Sequence, residues 1–295
     1  MKTFIYFALA LSVLPIAACS GYSPRPLPVA VTSPVSNPPA TPPPPTSPTP
    51  NPPANPSPAP PAAVKLANIQ ASPGWNQWGQ YAPAYVDCNA PCPGITWSMT
   101  QGIKAPSLSG NAAQFEIGGT SPYSDVLFSN PVIGQFSTQN LPDIDHTLVP
   151  TIHNFIYDTD FYVTDETVTQ VLEFDVSMYF DGVGLIWGTQ CNHLGDGTWD
   201  IWDNVKAHWV SAGFSCSLID KAWNHLTIQV QREADNSLLY QSLTLNGVTT
   251  TLNASYPPGT AATSWWGVTV NYQVDGDSRQ STNTTYLDNL SLTYW

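Results

Sequence analysis

The sequence predicts an all-β protein: a β-sandwich of two antiparallel sheets, preceded by a disordered Pro-rich linker. The strong hydrophobic periodicities all have period two, with Gly, Pro and Asn between them, and no helical repeat is comparably strong. Charged residues make up only 10% of the 295 residues, whereas surface helices are rich in Glu, Lys and Arg. Strands with one apolar and one polar face are typical of antiparallel sheets.

The first segment, residues 1–19, is predicted to be a lipoprotein signal peptide. A single cation, Lys2, precedes an apolar stretch over residues 4–18, which is too short to span a bilayer. Residues 16–19 (IAAC) resemble the lipobox of bacterial lipoproteins, which implies a lipid on Cys19. We therefore expect a protein anchored to the membrane of the bacterial cell envelope, at the outer membrane, or else a secreted one.

The second segment, residues 20–63, is dominated by Pro, Ser, Thr, Asn and Ala. Such a composition cannot form a core and favours an extended chain. At about 3.1 Å per residue, this linker reaches on the order of 120 Å. Residues 64–295 are predicted to form the folded β-sandwich domain.

Charge and aromatic content restrict the partners. The chain has 8 Lys and Arg against 21 Asp and Glu, for a formal net charge of -13. Nucleic acid is excluded as a partner, because that affinity needs cations that neutralise phosphates. All 11 Trp lie from Trp75 onward, and aromatic surfaces with little charge favour neutral, hydroxyl-rich ligands. We expect a monomer.

Four cysteines remain after Cys19, an even number in an exported chain, which predicts disulfides. Three pairings are possible, and we favour Cys88–Cys92 together with Cys191–Cys216. A zinc site is disfavoured, because the CxxxC spacing is not that of a zinc finger or ribbon.

Three segments show strand alternation most clearly: residues 171–180, 223–232 and 265–274. In the first, Leu172 and Phe174 point to the core, while Glu173 and Asp175 point to the other side. In the third, the same parity displays the side chains of Trp265, Thr269, Asn271 and Gln273.

Several of these segments resemble a known superfamily. Residues 223–228 (WNHLTI), the hairpin 237–247 (SLLYQSLTLNG) and residues 286–292 (YLDNLSL) resemble laminin G-like and related concanavalin A-like jelly rolls. Residues 171–175 (VLEFD) resemble the central strand of that superfamily, which carries Glu-x-Asp in legume lectins and Glu-x-Asp-x-Glu in family 16 glycosidases. The resemblance implies a concanavalin A-like jelly-roll β-sandwich with its ligand on the concave face. His225, in the W-x-H segment, is interpreted as structural.

The same resemblance implies Glu173 and Asp175 as catalytic candidates of a retaining glycoside hydrolase, with Glu173 as nucleophile. Ser177 stands where the second Glu, the proton donor, would lie. Asp200 or Asp203 on a neighbouring strand is the alternative donor. A polysaccharide lyase is disfavoured, because acidic substrates need cations that this chain lacks.

Residues 189–204 (TQCNHLGDGTWDIWDN) are interpreted as a loop that brings Trp and Asp side chains together, a combination that suits sugar rings and their hydroxyls. Asp288, beside Asn289, resembles the calcium position of some jelly-roll binding modules, so structural calcium is the one cofactor considered. The candidate ligand-binding residues are Tyr179, Trp199, Asp200, Trp202, Trp265, Thr269, Asn271 and Gln273.

The predicted function is that of a surface-anchored, carbohydrate-binding lipoprotein without turnover. Its expected partners are a neutral polysaccharide or glycan and, through Cys19, the membrane. Two alternatives stay open. One is a glycoside hydrolase acting on a neutral polysaccharide, and the other is a structural envelope or adhesion protein.

Overall fold

The computed structural model describes residues 62–75, 94–261 and 266–295. They form two antiparallel sheets that pack face to face, which confirms the predicted sandwich. Short 3-10 turns cover Ile69–Ala71, Val149–Thr151 and Glu166–Val168. The strands are β1 (Val64–Leu66), β2 (Ile95–Ile103), β3 (Ala112–Gly119), β4 (Asp125–Gly134), β5 (Asn154–Val163), β6 (Val171–Phe180), β7 (Val183–Trp187), β8 (Thr189–Asn192), β9 (Thr198–Asp203), β10 (His208–Ser215), β11 (Trp223–Arg232), β12 (Leu238–Leu245), β13 (Val248–Tyr256), β14 (Gly259–Thr260), β15 (Gly267–Asp275) and β16 (Asn283–Tyr294).

The first sheet, called the β6 sheet, has the strand order β10-β9-β8-β6-β15-β4. Strand β15 pairs with the whole length of β6, from Val171 to Tyr179. On its other side, β6 pairs first with β8 and then with β7, which in turn pairs with β14. Strand β6 therefore lies in the middle of its sheet, and side chains from both neighbouring strands surround its outward residues.

The second sheet, called the β16 sheet, has the order β13-β12-β11-β5-β16-β3-β2. Strand β1 pairs with the last residues of β16. Strands β11, β12 and β13 are consecutive in the chain, whereas β16 lies between β5 and β3. The sheet thus combines strands from both ends of the domain, and its central strands pair with strands that are distant in the sequence.

The core lies between the two sheets and is rich in aromatic rings. Phe115 of the β16 sheet packs edge-on against Phe128 and Tyr272 of the β6 sheet, each at a centroid distance of 4.9 Å. Tyr272 also contacts Phe174 at 5.3 Å. The inward residues predicted from alternation in β6 are all buried, which confirms the parity of that strand: Leu172, Phe174, Val176, Met178 and Phe180.

The disulfide Cys191–Cys216 is present, as predicted, with a Cα–Cα distance of 5.4 Å. It joins β8 to the residue that follows β10. The interpretation of residues 189–204 as one loop was wrong, because this segment forms β8 and β9, joined by a short turn. The favoured pair Cys88–Cys92 lies outside the described residues.

The lipid-anchor and linker predictions, with Cys19 and residues 20–61, also fall outside the described residues. Within the described parts of the chain, no helix is long and apolar enough to cross a membrane.

Candidate functional site

The outward side of the β6 sheet carries a dense set of polar side chains, which we call the polar face. Strand pairing places Glu173 opposite Gln273, Asp175 opposite Asn271, and Ser177 opposite Thr269. Because parity turns Leu172 and Phe174 inward, these polar partners all lie on the other side. The polar face consists of Ser129, Glu173, Asp175, Ser177, Gln190, Asp200, Thr269, Asn271 and Gln273.

Amide side chains organise the centre of the polar face. Asn271 donates through Nδ2 to Ser177 Oγ at 3.1 Å and accepts from Ser129 Oγ at 2.8 Å. Gln273 donates through Nε2 both to Glu173 Oε1 and to Asp275 Oδ1, the latter at 3.0 Å. These bonds fix the orientation of the amides across three strands. The face is therefore ordered before any ligand arrives, which lowers the entropy cost of binding.

The carboxyl groups at the centre of the polar face have raised pKa values. Burial, followed by the charges of Asp275, Asp175 and Asp125, raises the pKa of Glu173 well above its ordinary value. Burial likewise raises the pKa of Asp275, and it raises the pKa of Asp175 to about 7 despite a hydrogen bond from the Thr189 backbone N–H. Burial thus opposes the charged form of these three residues, Glu173, Asp175 and Asp275, which we call the carboxyl cluster.

A second polar group continues the face across β8 and β9. Gln190 Nε2 donates to Asp200 Oδ2 at 2.8 Å, and Thr198 Oγ1 donates to Asp200 Oδ1 at 3.1 Å. Burial and the charge of Asp196 raise the pKa of Asp200, while these hydrogen bonds oppose the shift. Since Gln190 pairs directly with Glu173, the two groups form one continuous polar network, in which Glu173, Gln190 and Asp200 are each at most 5% exposed.

An aromatic pair borders the polar face. Trp202 and Trp209 lie opposite each other on β9 and β10, with centroids 5.2 Å apart. Gly188 makes this arrangement possible, because a Cβ there would lie 3.0 Å from Trp202 Cβ and 3.1 Å from Trp209 Cη2. The next residue, Thr189, donates its backbone N–H to Asp175. The Trp209 ring therefore lies close to the carboxyl cluster, and it remains partly exposed.

The structure distributes the predicted ligand-binding residues over several environments. Asp200, Thr269, Asn271 and Gln273 lie together on the polar face, and Trp202 borders it. Tyr179 is the partly exposed outward residue at the end of β6. Trp265 lies outside the described residues.

Trp199 has a different position from the one expected of a ligand-binding residue. It is fully buried and packs against Phe174 and Phe214, at centroid distances of 6.1 and 6.3 Å. The reason is the strand parity of β9, which turns Trp199 and Ile201 inward and Asp200 outward. Trp209 was missed from the sequence, because only its cross-strand contact over Gly188 brings it to the polar face.

The catalytic candidates Glu173 and Asp175 lie side by side on the polar face. A nucleophilic carboxylate must be ionised, and the raised pKa of Glu173 opposes this ionisation. Ser177, at the position of the missing proton donor, accepts a hydrogen bond from Asn271. Asp203 accepts the backbone N–H groups of Val205 and Lys206. Each of these side chains thus has hydrogen-bond partners within the protein.

Asp288, the candidate metal ligand, is surrounded by protein donors. Its Oδ1 accepts from Gln70 Nε2, Ser109 Oγ and the Asn289 N–H, at 3.2, 2.6 and 2.9 Å. Its Oδ2 accepts from Ser107 Oγ and the N–H groups of Leu108 and Ser109, at 2.7, 2.7 and 2.9 Å. Burial opposes ionisation, but these bonds outweigh it and lower the pKa of Asp288. The carboxylate thereby ties the segment 107–109 to β16.

Two other clusters of titratable groups have structural explanations. The side chains of Cys191, His193 and Cys216 lie close together, but both sulfurs are joined in the disulfide and offer no thiolate. His225 contacts Asp160 through Nδ1 at 2.9 Å and Asp158 through Nε2 at 3.3 Å, in accord with its interpretation as structural. It links β11 to β5.

Comparison with known proteins was made at three levels. No protein-family model matches the chain, and no curated protein matches it. Among solved structures, it is similar to a carbohydrate esterase from Shiga toxin-encoding bacteriophage phi24B, with 12% identity, coverage of 68% of this chain and 89% of that one, and a TM-score of 0.39. It is also similar to peanut lectin, with 12% identity, coverage of 79% of this chain and 97% of that one, and a TM-score of 0.37. A third similar structure is arcelin-5 from Phaseolus vulgaris, with 10% identity, coverage of 79% of this chain and 98% of that one, and a TM-score of 0.39. At identities of 10–12% and TM-scores of 0.37–0.39, these are distant likenesses.

Proposed function

We propose that the polar face binds a neutral carbohydrate without cleaving it. The observation that carries this proposal is the composition of the face: amides, hydroxyls and carboxyls with pKa values raised by burial, beside the Trp209 ring. Sugar hydroxyls both donate and accept hydrogen bonds, and protonated carboxyls and amides match both roles. An aromatic plane covers the apolar side of a sugar ring.

The charge of the site restricts the class of sugar. The polar face contains four acidic side chains in or beside its centre, Glu173, Asp175, Asp200 and Asp275, and a uronate or sulfate placed among them would raise their pKa values further. Binding an acidic sugar would therefore either take up a proton or bring like charges close together, and both are unfavourable. We infer a preference for neutral hexoses and N-acetylhexosamines.

Turnover is not part of the proposal. Hydrolysis with retention requires an ionised nucleophile and a separate proton donor about 5–5.5 Å away. On the polar face burial raises the pKa of Glu173 and so opposes its ionisation, and the donor position is occupied by Ser177. The hydrolase alternative is testable on the same samples, because a reducing-sugar assay on each bound glycan would detect it.

The location of the protein is a further part of the proposal. A lipid on Cys19 would hold the chain on the envelope membrane, and residues 20–63 would act as an extended tether for the domain. Mass spectrometry of the N-terminal peptide from the membrane fraction tests this point, because a diacylglyceryl Cys19 has a distinct mass. An unmodified N-terminal peptide would contradict the anchor.

The test of the function is a glycan array with the full-length protein, followed by titration calorimetry on the neutral oligosaccharides that bind. Trp209→Ala should weaken binding about tenfold, because ring stacking is lost. The control is Trp97→Ala on β2, which removes a 37%-exposed indole of the other sheet that packs edge-on against Phe128. The melting temperatures of both variants are measured alongside. A Trp209→Ala affinity equal to that of the wild type, or exclusive binding of acidic glycans, would contradict the proposal.

A further inference from the structure

The outward side of the β16 sheet carries a row of three aromatic residues on adjacent strands. Trp223 of β11 pairs with Tyr162 of β5, and Tyr162 pairs with Tyr286 of β16. The ring centroids are 5.6 Å apart in the first pair and 6.0 Å in the second. We call these three residues the aromatic row.

The aromatic row differs from the rings of the core by its exposure. Phe161 and Leu287, which flank two of its members in sequence, are fully buried between the sheets. Tyr162, Trp223 and Tyr286 are each partly exposed on the opposite side. Part of each ring is therefore available to a ligand after the contacts within the row are made.

The row continues with uncharged polar residues. Tyr286 pairs with Gln114 of β3, and Gln114 pairs with Thr100 of β2, which is exposed. Five adjacent strands thus present two kinds of group in one line across the sheet. Three strands present aromatic rings and the next two present an amide and a hydroxyl. Adjacent strands lie about 4.8 Å apart, a spacing similar to the length of one hexose unit in an extended chain.

Two carboxylates and a histidine beside the aromatic row contact one another. Asp160 accepts from His225 on one oxygen and from Asn289 Nδ2, at 2.8 Å, on the other. Hydrogen bonds that His225 donates to Asp158 and Asp160 raise the pKa of His225 to about 10, although its partial burial opposes the shift. The cation of His225 thus lies between two carboxylates.

We propose that the aromatic row is a second glycan-binding surface, which takes an extended, neutral polysaccharide chain lying across the strands. Tyr162 stands edge-on to both neighbours, at interplanar angles of 65° and 80°. The rings of Trp223 and Tyr286 would therefore contact sugar units on either side of it, and Gln114 and Thr100 would contact hydroxyls further along the chain. This surface is on the opposite side of the sandwich from the polar face and depends on none of its residues. Two such surfaces would let one domain bind a polymer and a shorter glycan at once.

The test is a depletion assay of the full-length protein on microcrystalline cellulose and on insoluble chitin, both extended neutral polymers. We expect the wild type to be depleted by at least one of them. Trp223→Ala and Tyr286→Ala should each weaken depletion about tenfold. Tyr286→Phe, which keeps the ring, should retain it, and this variant separates loss of stacking from loss of the hydroxyl.

Two controls separate this proposal from the function of the polar face. Trp97→Ala removes an indole of the same sheet that lies off the row, and it should deplete like the wild type. Trp209→Ala should also deplete like the wild type, while losing its oligosaccharide binding in solution. Failure of the wild type to bind either polymer would overturn the proposal. The proposal would also be overturned if Trp223→Ala and Tyr286→Ala, shown to be folded by their melting temperatures, were depleted by the polymer as much as the wild type.

Discussion

Replacement of Asp175 by Asn tests the burial of the carboxyl cluster through its effect on stability. Burial raises the pKa of Asp175 from 3.8 to about 7. An acid with a raised pKa binds more protons in the folded state than in the unfolded state. The free energy of unfolding therefore falls as the pH rises through the interval between these two values. Below that interval, the carboxyl is protonated in both states and the penalty vanishes.

The size of the effect follows from the width of the interval. Each pH unit corresponds to about 1.4 kcal/mol for one proton, so ionisation of Asp175 costs on the order of 4 kcal/mol over the whole interval. Asn does not titrate, and its Oδ1 can still accept the Thr189 N–H that Asp175 accepts at 3.2 Å. Asp175→Asn should therefore lose this part of the pH dependence, and its unfolding free energy should exceed that of the wild type near pH 7.

The assay is urea unfolding of the full-length protein, followed by tryptophan fluorescence, at several values from about pH 4 to about pH 7. Asp158→Asn is the matched control. Burial raises the pKa of Asp158, but hydrogen bonds from His225 and Thr227 outweigh it and lower the pKa overall. The stability that Asp158 contributes is present above its ordinary pKa and is lost only as the pH falls below it. Asp158→Asn should therefore be less stable than the wild type by a nearly constant amount over this pH range, whereas Asp175→Asn should diverge from the wild type as the pH rises. Parallel pH profiles for Asp175→Asn and the wild type would refute a buried, titrating Asp175.

Three further changes test the structural account. Replacing both Cys191 and Cys216 by Ser should lower the free energy of unfolding by about 3 kcal/mol, because the bridge closes a loop of 25 residues; an unchanged urea midpoint would argue against the bond. Trp199→Ala should cost about 3–5 kcal/mol, because the indole is fully buried, and a loss below 1 kcal/mol would place Trp199 at the surface. Asp288→Ala should lower the free energy of unfolding by about 3 kcal/mol, because six donors lose their acceptor. If a chelator lowered the free energy of unfolding of the wild type by a similar amount, this would instead indicate a bound cation.

The sequence was sufficient to predict the strands whose alternation is unbroken. In β6 and β15, every second residue is apolar, and a slip of one residue would turn Glu173 toward the core between the sheets and Phe174 away from it. The parity of these strands, and with it the positions of Thr269 and Asn271, followed from that pattern. The Cys191–Cys216 pair followed from the even number of cysteines and the expected proximity of neighbouring strands.

The rest depends on contacts that no local pattern contains. Strands β8 and β9 are short, and the segment that contains them has the Asp, Asn and Gly residues of a loop. The pairing of β8 with β6, and of β9 with β8, overrides that local preference. Trp209 reaches the polar face only because Gly188 has no side chain. Asp275 joins the carboxyl cluster through Gln273, and the aromatic row requires the alignment of three strands distant in the sequence.

The central claim is that the polar face of the β6 sheet holds a neutral sugar beside Trp209. A crystal structure of the protein with the tightest-binding neutral oligosaccharide from the array tests it most directly. We predict a sugar ring against the Trp209 indole, with hydroxyls in hydrogen-bond contact with Asp175 or Asn271 and with the glycosidic bonds intact. A sugar bound elsewhere on the domain, with the polar face empty, would contradict the claim.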